Sequence, residues 1–126
     1  MKRILIVDEQ KDVANTLVLF LKTIKDLEPM AAFSSSEACL MIEKHKPQIL
    51  LVDLKLEEES GFAITECAKK TLPKAAIVVI TCYNYESVKR KFKSLDVDYF
   101  LPKPFKLEDL QTLIEKIIKE NLQQQF

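Results

Sequence analysis

Unbroken apolar runs punctuate the chain, and apolar residues at helical spacing fill the intervals between them. Ile4-Leu5-Ile6-Val7, Ile49-Leu50-Leu51-Val52 and Ala76-Ile77-Val78-Val79-Ile80 are continuous rather than alternating, which marks strands buried on both faces. A weaker strand is predicted around Met30 to Phe33, and a short one at Tyr99-Phe100-Leu101. Before Pro29, the recurrence of Val13, Leu17, Phe20, Leu21 and Ile24 predicts an amphipathic helix of about four turns. Ser34-Ser35-Ser36 offers an N-cap to a second helix, Glu37 to Lys46, which buries Ala38, Met41 and Ile42 and stops at Pro47. A third helix is predicted from Ser60 to Lys70, closed by Pro73. Asn84 can cap a fourth that runs to Leu95 and has only Val88, Phe92 and Leu95 as apolar positions. Leu107, Leu110, Leu113, Ile114, Ile117 and Ile118 mark the last helix, and the pattern is lost from Asn121 onward.

Five strands alternating with five helices through short connections predict a parallel sheet covered on both faces by right-handed crossovers. In such sheets ligands sit at the carboxyl ends of the strands, so chemistry is expected there.

With 126 residues and 48% hydrophobic side chains the chain reads as one domain, taken as residues 1–120 with 121–126 as a tail or the start of a linker. No apolar run approaches a membrane span, and only four apolar residues follow Met1-Lys2-Arg3, too few for a signal peptide, so a cytoplasmic location and no membrane partner are expected. Nineteen basic residues balance nineteen acidic ones, which removes a global field for nucleic acid, and no direct nucleic-acid contact is expected. The single glycine, Gly61, excludes the glycine-rich dinucleotide and phosphate loops. Cys39, Cys67 and Cys82 are odd in number and widely separated, and read as reduced thiols. His45, close to a helix C-terminus, reads as a surface residue.

Polar groups stand where the strands end: Asp8-Glu9 after the first, Asp53 after the third, Thr81 after the fourth, and Pro102-Lys103-Pro104 after the fifth. Any one of these positions is explained by polarity returning after a buried run. Together they form a constellation. Three converging carboxylates repel one another unless a cation or raised pKa values intervene, and oxygen ligands of this kind suit Mg²⁺. Aspartyl phosphate chemistry needs a carboxylate nucleophile, a metal, a cation for the phosphoryl oxygens and a hydroxyl donor; Asp53, a metal at Asp8 and Glu9, Lys103 and Thr81 match those roles.

These residues resemble the receiver domain of two-component response regulators over essentially the whole chain. Ile4 to Glu9 matches the family's acidic pair after the first strand. Leu50 to Leu56, with Gly61 eight residues beyond Asp53, matches its phosphoacceptor segment; Val79-Ile80-Thr81 matches the hydroxyl position, and Asp98 to Phe105 the closing segment, where Lys-Pro is usually cis. The resemblance implies a doubly wound (βα)5 three-layer sandwich with flavodoxin-like strand order 2-1-3-4-5. It implies that Asp53 accepts a phosphoryl group from a sensor histidine kinase or phosphotransfer protein, with Mg²⁺ or Mn²⁺ held by Asp8, Glu9, Asp53 and the carbonyl of Lys55. Thr81 and Lys103 would bind phosphoryl oxygens, inward movement of Thr81 would make room for the switch residue Phe100, and Lys55 and Tyr83 would tune hydrolysis. The partners implied are that kinase, an output domain or downstream protein at the face of the fourth helix, fifth strand and fifth helix, and a second copy in a phosphorylation-dependent homodimer.

Such a module is not an enzyme acting on an external substrate. Any output would lie on another chain or beyond residue 126, as in a transcriptional activator. A different class, a phosphorylation-independent scaffold of the same fold, is disfavoured by the full set of Asp8, Glu9, Asp53, Thr81 and Lys103. Glu57, Cys82, Asp96 and Phe100 depart from the family's common Pro, small residue, Gly and Tyr. The run Lys89-Arg90-Lys91 with Lys93 reads either as a solvated helix face or as a partner surface.

Overall fold

Residues 2–53, 58–81, 90, 97 and 99–124 are described by a computed structural model. All five predicted strands are present: β1 (Lys2–Val7), β2 (Leu27–Ala32), β3 (Ile49–Asp53), β4 (Ala76–Thr81) and β5 (Tyr99–Pro102). Among the described residues four helices accompany them: α1 (Lys11–Leu21), α2 (Ser35–His45), α3 (Glu58–Thr71) and α4 (Leu107–Gln124), the last being the fifth helix of the sequence pattern. Residues 84–95, where the fourth is expected, lie outside the described residues except for Arg90, which is exposed. Lys55, Glu57, Cys82, Tyr83, Lys89, Lys91, Lys93 and Asp96 also lie outside them.

The strands pair in parallel in the order β2-β1-β3-β4-β5, as expected. Alternation along each strand sorts the apolar runs into two layers. Ile4, Ile6, Ile49, Leu51, Val78 and Ile80 meet Ala14, Leu17 and Leu21 of α1 and Leu110, Ile114 and Ile117 of α4. Leu5, Val7, Leu50, Val52, Ile77 and Val79 face the opposite way, against Ala38 and Ile42 of α2 and Ile64 and Ala68 of α3. Continuous apolar runs are thus explained: each residue, odd or even, meets a helix layer.

Several boundaries differ from the sequence pattern. β2 starts at Leu27 rather than near Met30, and Pro29 lies inside it, opposite Ile4. β2 is an edge strand, where a residue without an N–H is tolerated. α1 closes at Leu21, but Thr23 and Ile24 donate to the carbonyls of Phe20 and Leu21, a tighter turn that still buries Ile24 and so prolongs the apolar periodicity. α4 continues to Gln124, beyond the last apolar position.

The predicted cap of α2 is formed. The Ser34 hydroxyl accepts from the Glu37 backbone N–H at 3.2 Å, and Glu37 Oε2 accepts from the Phe33 N–H at 3.4 Å. This is close to a capping box, with the return bond one residue upstream. Ser34→Ala is expected to lower stability by about 1 kcal/mol, read as a shift of the urea midpoint at unchanged slope; an unshifted midpoint would show that the cap carries no net stability.

Candidate functional site

Strand register gathers the chemistry. Val7 lies opposite Val52, so Asp8, one residue beyond β1, comes beside Asp53, the last residue of β3. Asp53 lies opposite Ile80, which brings Thr81 next to it. Thr81 lies opposite Pro102, and the Lys103 N–H donates to the Thr81 carbonyl at 2.8 Å, extending the β4–β5 ladder by one residue. Asp8, Asp53, Thr81 and Lys103 therefore form one row along the carboxyl edge of the sheet. The row straddles the gap between β1 and β3, where the strand order reverses, the usual ligand position in open α/β sheets.

Asp8, Asp53 and Thr81 are buried. Lys103 Nζ donates to Asp53 Oδ2 at 2.5 Å, with 21% of the lysine side chain and 5% of the aspartate exposed. A charge-assisted bond to a buried carboxylate fixes both groups. The Lys103-Pro104 peptide is cis, as the resemblance implied. Phe100 lies opposite Val79 and packs, half-buried, against the α2/α3 layer. Glu9 is exposed at the same strand end, and among the described residues no three acidic, His or Cys side chains close around a common point. The sequence expectation of three convergent carboxylates is therefore realised as a buried pair, Asp8 and Asp53, with Glu9 at the rim.

Two further groups shape the site. The Gln10 N–H donates to Asp8 Oδ1 at 2.9 Å. An Asp side chain bonding the backbone two residues on is a habit of that residue, so the turn was legible in Asp8-Glu9-Gln10. Lys11 Nζ stands 5.4 Å from the centroid of the Phe33 ring, a cation–π contact joining α1 to the end of β2. No sequence signal predicted it.

The other oxygen of Asp8, Oδ2, is buried without a hydrogen-bond partner among the described residues. Burial pushes the Asp8 carboxyl up to about 6 from an ordinary 3.8; the Asp53 charge adds to the rise, while the Gln10 N–H and the Lys103 charge oppose it. The folded state holds this proton between about 3.8 and about 6 while the unfolded state releases it, so the contribution to stability is present at low pH and lost as pH rises through 6. Asp8→Asn removes the charge. The metal-free variant is expected to gain over the parent as pH rises from 4 to 7, by about 2 kcal/mol at the upper end. Urea titrations at several pH values read this; a pH-independent difference would contradict it.

Comparison with known proteins agrees with this geometry. The model of the family described as Response regulator receiver domain matches residues 4–115. The chain belongs to the response regulator receiver family. It is 34% identical over 122 residues to the Sensory transduction protein LytT of Bacillus subtilis, covering 96% of this chain and 50% of that protein. The chain thus spans about half the length of that relative. Among solved structures it is similar to a CheY-like response regulator receiver domain protein from Methanospirillum hungatei, with a TM-score of 0.89, 25% identity and 98% of each chain covered. It is also similar to the REC domain of AraT, a response regulator from Geobacillus stearothermophilus, with a TM-score of 0.83, 25% identity and coverage of 99% of this chain and 98% of the other.

Receiver domains are phosphoacceptor signalling modules rather than classical enzymes; they work with sensor kinases and output domains and in general bind Mg²⁺ at the phosphorylation site. The residues here fit such an ion. Mg²⁺ usually takes one or two carboxylates and keeps several waters, and Asp8 Oδ2 is a buried acceptor with no donor among the described residues, beside a second carboxylate. Among the described residues no helix is long and apolar enough to cross a membrane.

Proposed function

We propose that this chain is a phosphorylation-activated switch in which Asp53 takes a phosphoryl group from a phosphohistidine of a sensor kinase or phosphotransfer protein. The observation that carries the reading is the buried Asp53 carboxylate paired with Lys103 beside an Asp8 oxygen that has no hydrogen-bond partner among the described residues. The N–P bond of the donor breaks and an O–P bond to Asp53 forms, leaving an acyl phosphate. Asp8, Glu9, Asp53 and the Lys55 carbonyl would hold Mg²⁺, with Mn²⁺ a substitute. The ion, when bound, supplies charge neutralisation between the carboxylates and the incoming phosphoryl oxygens. Lys103 is already fixed at the reacting carboxylate and is positioned to follow a phosphoryl oxygen, while Thr81 supplies a hydroxyl donor from the adjacent strand end.

Capture of a phosphoryl oxygen by Thr81 would draw that side chain inward and let Phe100 follow. Phe100 packs through apolar contact and has no hydroxyl, so its inward position would be held by packing alone. The face so altered, comprising residues 84–95, β5 and α4, is the proposed contact for an output domain, a downstream protein or a second copy. The module, read as residues 1–120, would act in the cytoplasm and promote its own phosphorylation and dephosphorylation without turning over an external metabolite.

Incubation with phosphoramidate and Mg²⁺ tests the reading: the expected result is a gain of one phosphoryl group that requires Asp53, whereas a protein that stays unmodified would point to a phosphorylation-independent scaffold. Lys55 and Tyr83, a long cation and a bulky ring at the positions that tune hydrolysis in the family, are expected to hinder the attacking water and give a phosphorylated lifetime of minutes or longer. Decay of the phosphorylated mass within seconds would contradict this, and Lys55→Asn or Tyr83→Ala should alter the rate.

A further inference from the structure

At the opposite end of the sheet, the start of β1, the α2–β3 and α3–β4 connections and α4 surround a cavity of about 280 Å³. It lies four residue steps along β3 from Asp53, about 13 Å at the usual strand rise, and takes no part in the phosphoacceptor site. Ile49, Leu72 and Ile118 give it an apolar interior. Among the described residues its lining also holds Lys2, Lys46 and Lys74 and no acidic one, although acidic and basic side chains are equally frequent in the chain.

The walls are pinned by backbone bonds. Gln48 donates its N–H to the Arg3 carbonyl at 3.0 Å, accepts from the Ala76 N–H at 2.9 Å through its carbonyl, and accepts from the Arg3 N–H at 2.7 Å through its side chain. The Lys46 N–H closes α2 on the Ile42 carbonyl at 3.0 Å with Lys46 at φ 47°, and the Ala75 N–H closes the next connection on the Leu72 carbonyl at 3.0 Å. Lys46 and Lys74 are exposed, so each ammonium can reach a ligand head from the rim. A pre-formed apolar cavity with a few polar groups of one sign is how small-molecule sites are built, and this volume is near the small end of that range.

We propose that this cavity is a second ligand site, which binds a small amphipathic carboxylate with its hydrocarbon against Ile49, Leu72 and Ile118 and its head at Lys46 and Lys74. A macromolecular partner would favour a wider, flatter surface; a half-open cavity of this size suits a short chain.

The test uses octanoate as probe, with two-dimensional amide NMR on the whole 126-residue protein. The expected result is saturable shifts at Lys46, Gln48, Leu72, Lys74 and Ala75, with signals around Asp8 and Asp53 unmoved. Lys74→Glu should weaken binding by roughly tenfold, the effect of turning a partly exposed attraction into a repulsion; 1-octanol, which lacks the charge, should bind the parent more weakly than octanoate and be indifferent to that variant. No saturable shifts at millimolar octanoate, or equal binding of octanoate and octanol, would overturn the proposal. So would shifts of the same signals with protein concentration alone, which would assign the cavity to a second copy. The outcome does not depend on phosphorylation, so it stands or falls separately from the role given to Asp53.

Discussion

Lys103→Met is expected to cost the metal-free protein about 3 kcal/mol of stability, the lower part of the range for breaking a buried ion pair, because the lysine keeps a fifth of its side chain in water. Methionine preserves much of the apolar stem and removes the ammonium, so the loss reports on charge rather than on packing. Asp53 would then be left buried at 5% side-chain exposure beside Asp8, without the ammonium that offsets their repulsion. A urea midpoint lowered by about 1 to 2 M, at the slope usual for a domain of this size, is the expected reading. Phosphoryl uptake should fall as well, since a cation is lost from the reacting oxygens. A midpoint within about 0.3 M of the parent would mean that the pair contributes little and that solvent screens it.

Asp53→Asn is expected to act in the opposite sense on stability while abolishing phosphoryl uptake. Asparagine keeps the shape and removes one of two adjacent buried charges. Asp8 then loses a neighbour that raises its pKa, and the pH dependence assigned to Asp8 should shrink. Lys103 loses its partner but can reach water. Combined with Lys103→Met, Asp53→Asn should recover most of the stability lost in the lysine variant, because the two residues are in contact and their effects couple. Additive losses in that double-mutant cycle would count against the ion pair as the organising contact of the site.

The site was legible in the sequence because strand ends are where a buried parallel sheet releases its chain. Each of Asp8, Asp53, Thr81 and Lys103 follows its own apolar run, and a staggered register converts those four sequence positions into one row. Strand order and the two-layer core follow from the same runs. Boundaries were less legible where local propensity and tertiary position disagree. Pro29 reads as a breaker, yet the edge position of β2 tolerates it. Asn121 and the glutamines read as a tail, yet the helix continues through them to Gln124, because the helical backbone can outrun its apolar stripe. The closeness of Lys103 to Asp53, the burial of an Asp8 oxygen away from any donor among the described residues, and the lysine-rimmed cavity depend on side-chain geometry between distant segments and carry no local signal.

The balanced net charge likewise conceals local order. Two carboxylates are buried at one end of the sheet and three lysines line a cavity at the other, and neither shows in a total of zero.

The most direct test of the central claim is intact-mass measurement after incubation with phosphoramidate and Mg²⁺, with the parent and Asp53→Asn treated side by side and a chelator control. The account predicts one added phosphoryl group on the parent, none without Mg²⁺ and none on the variant. An unmodified parent, or equal labelling of parent and variant, would contradict it.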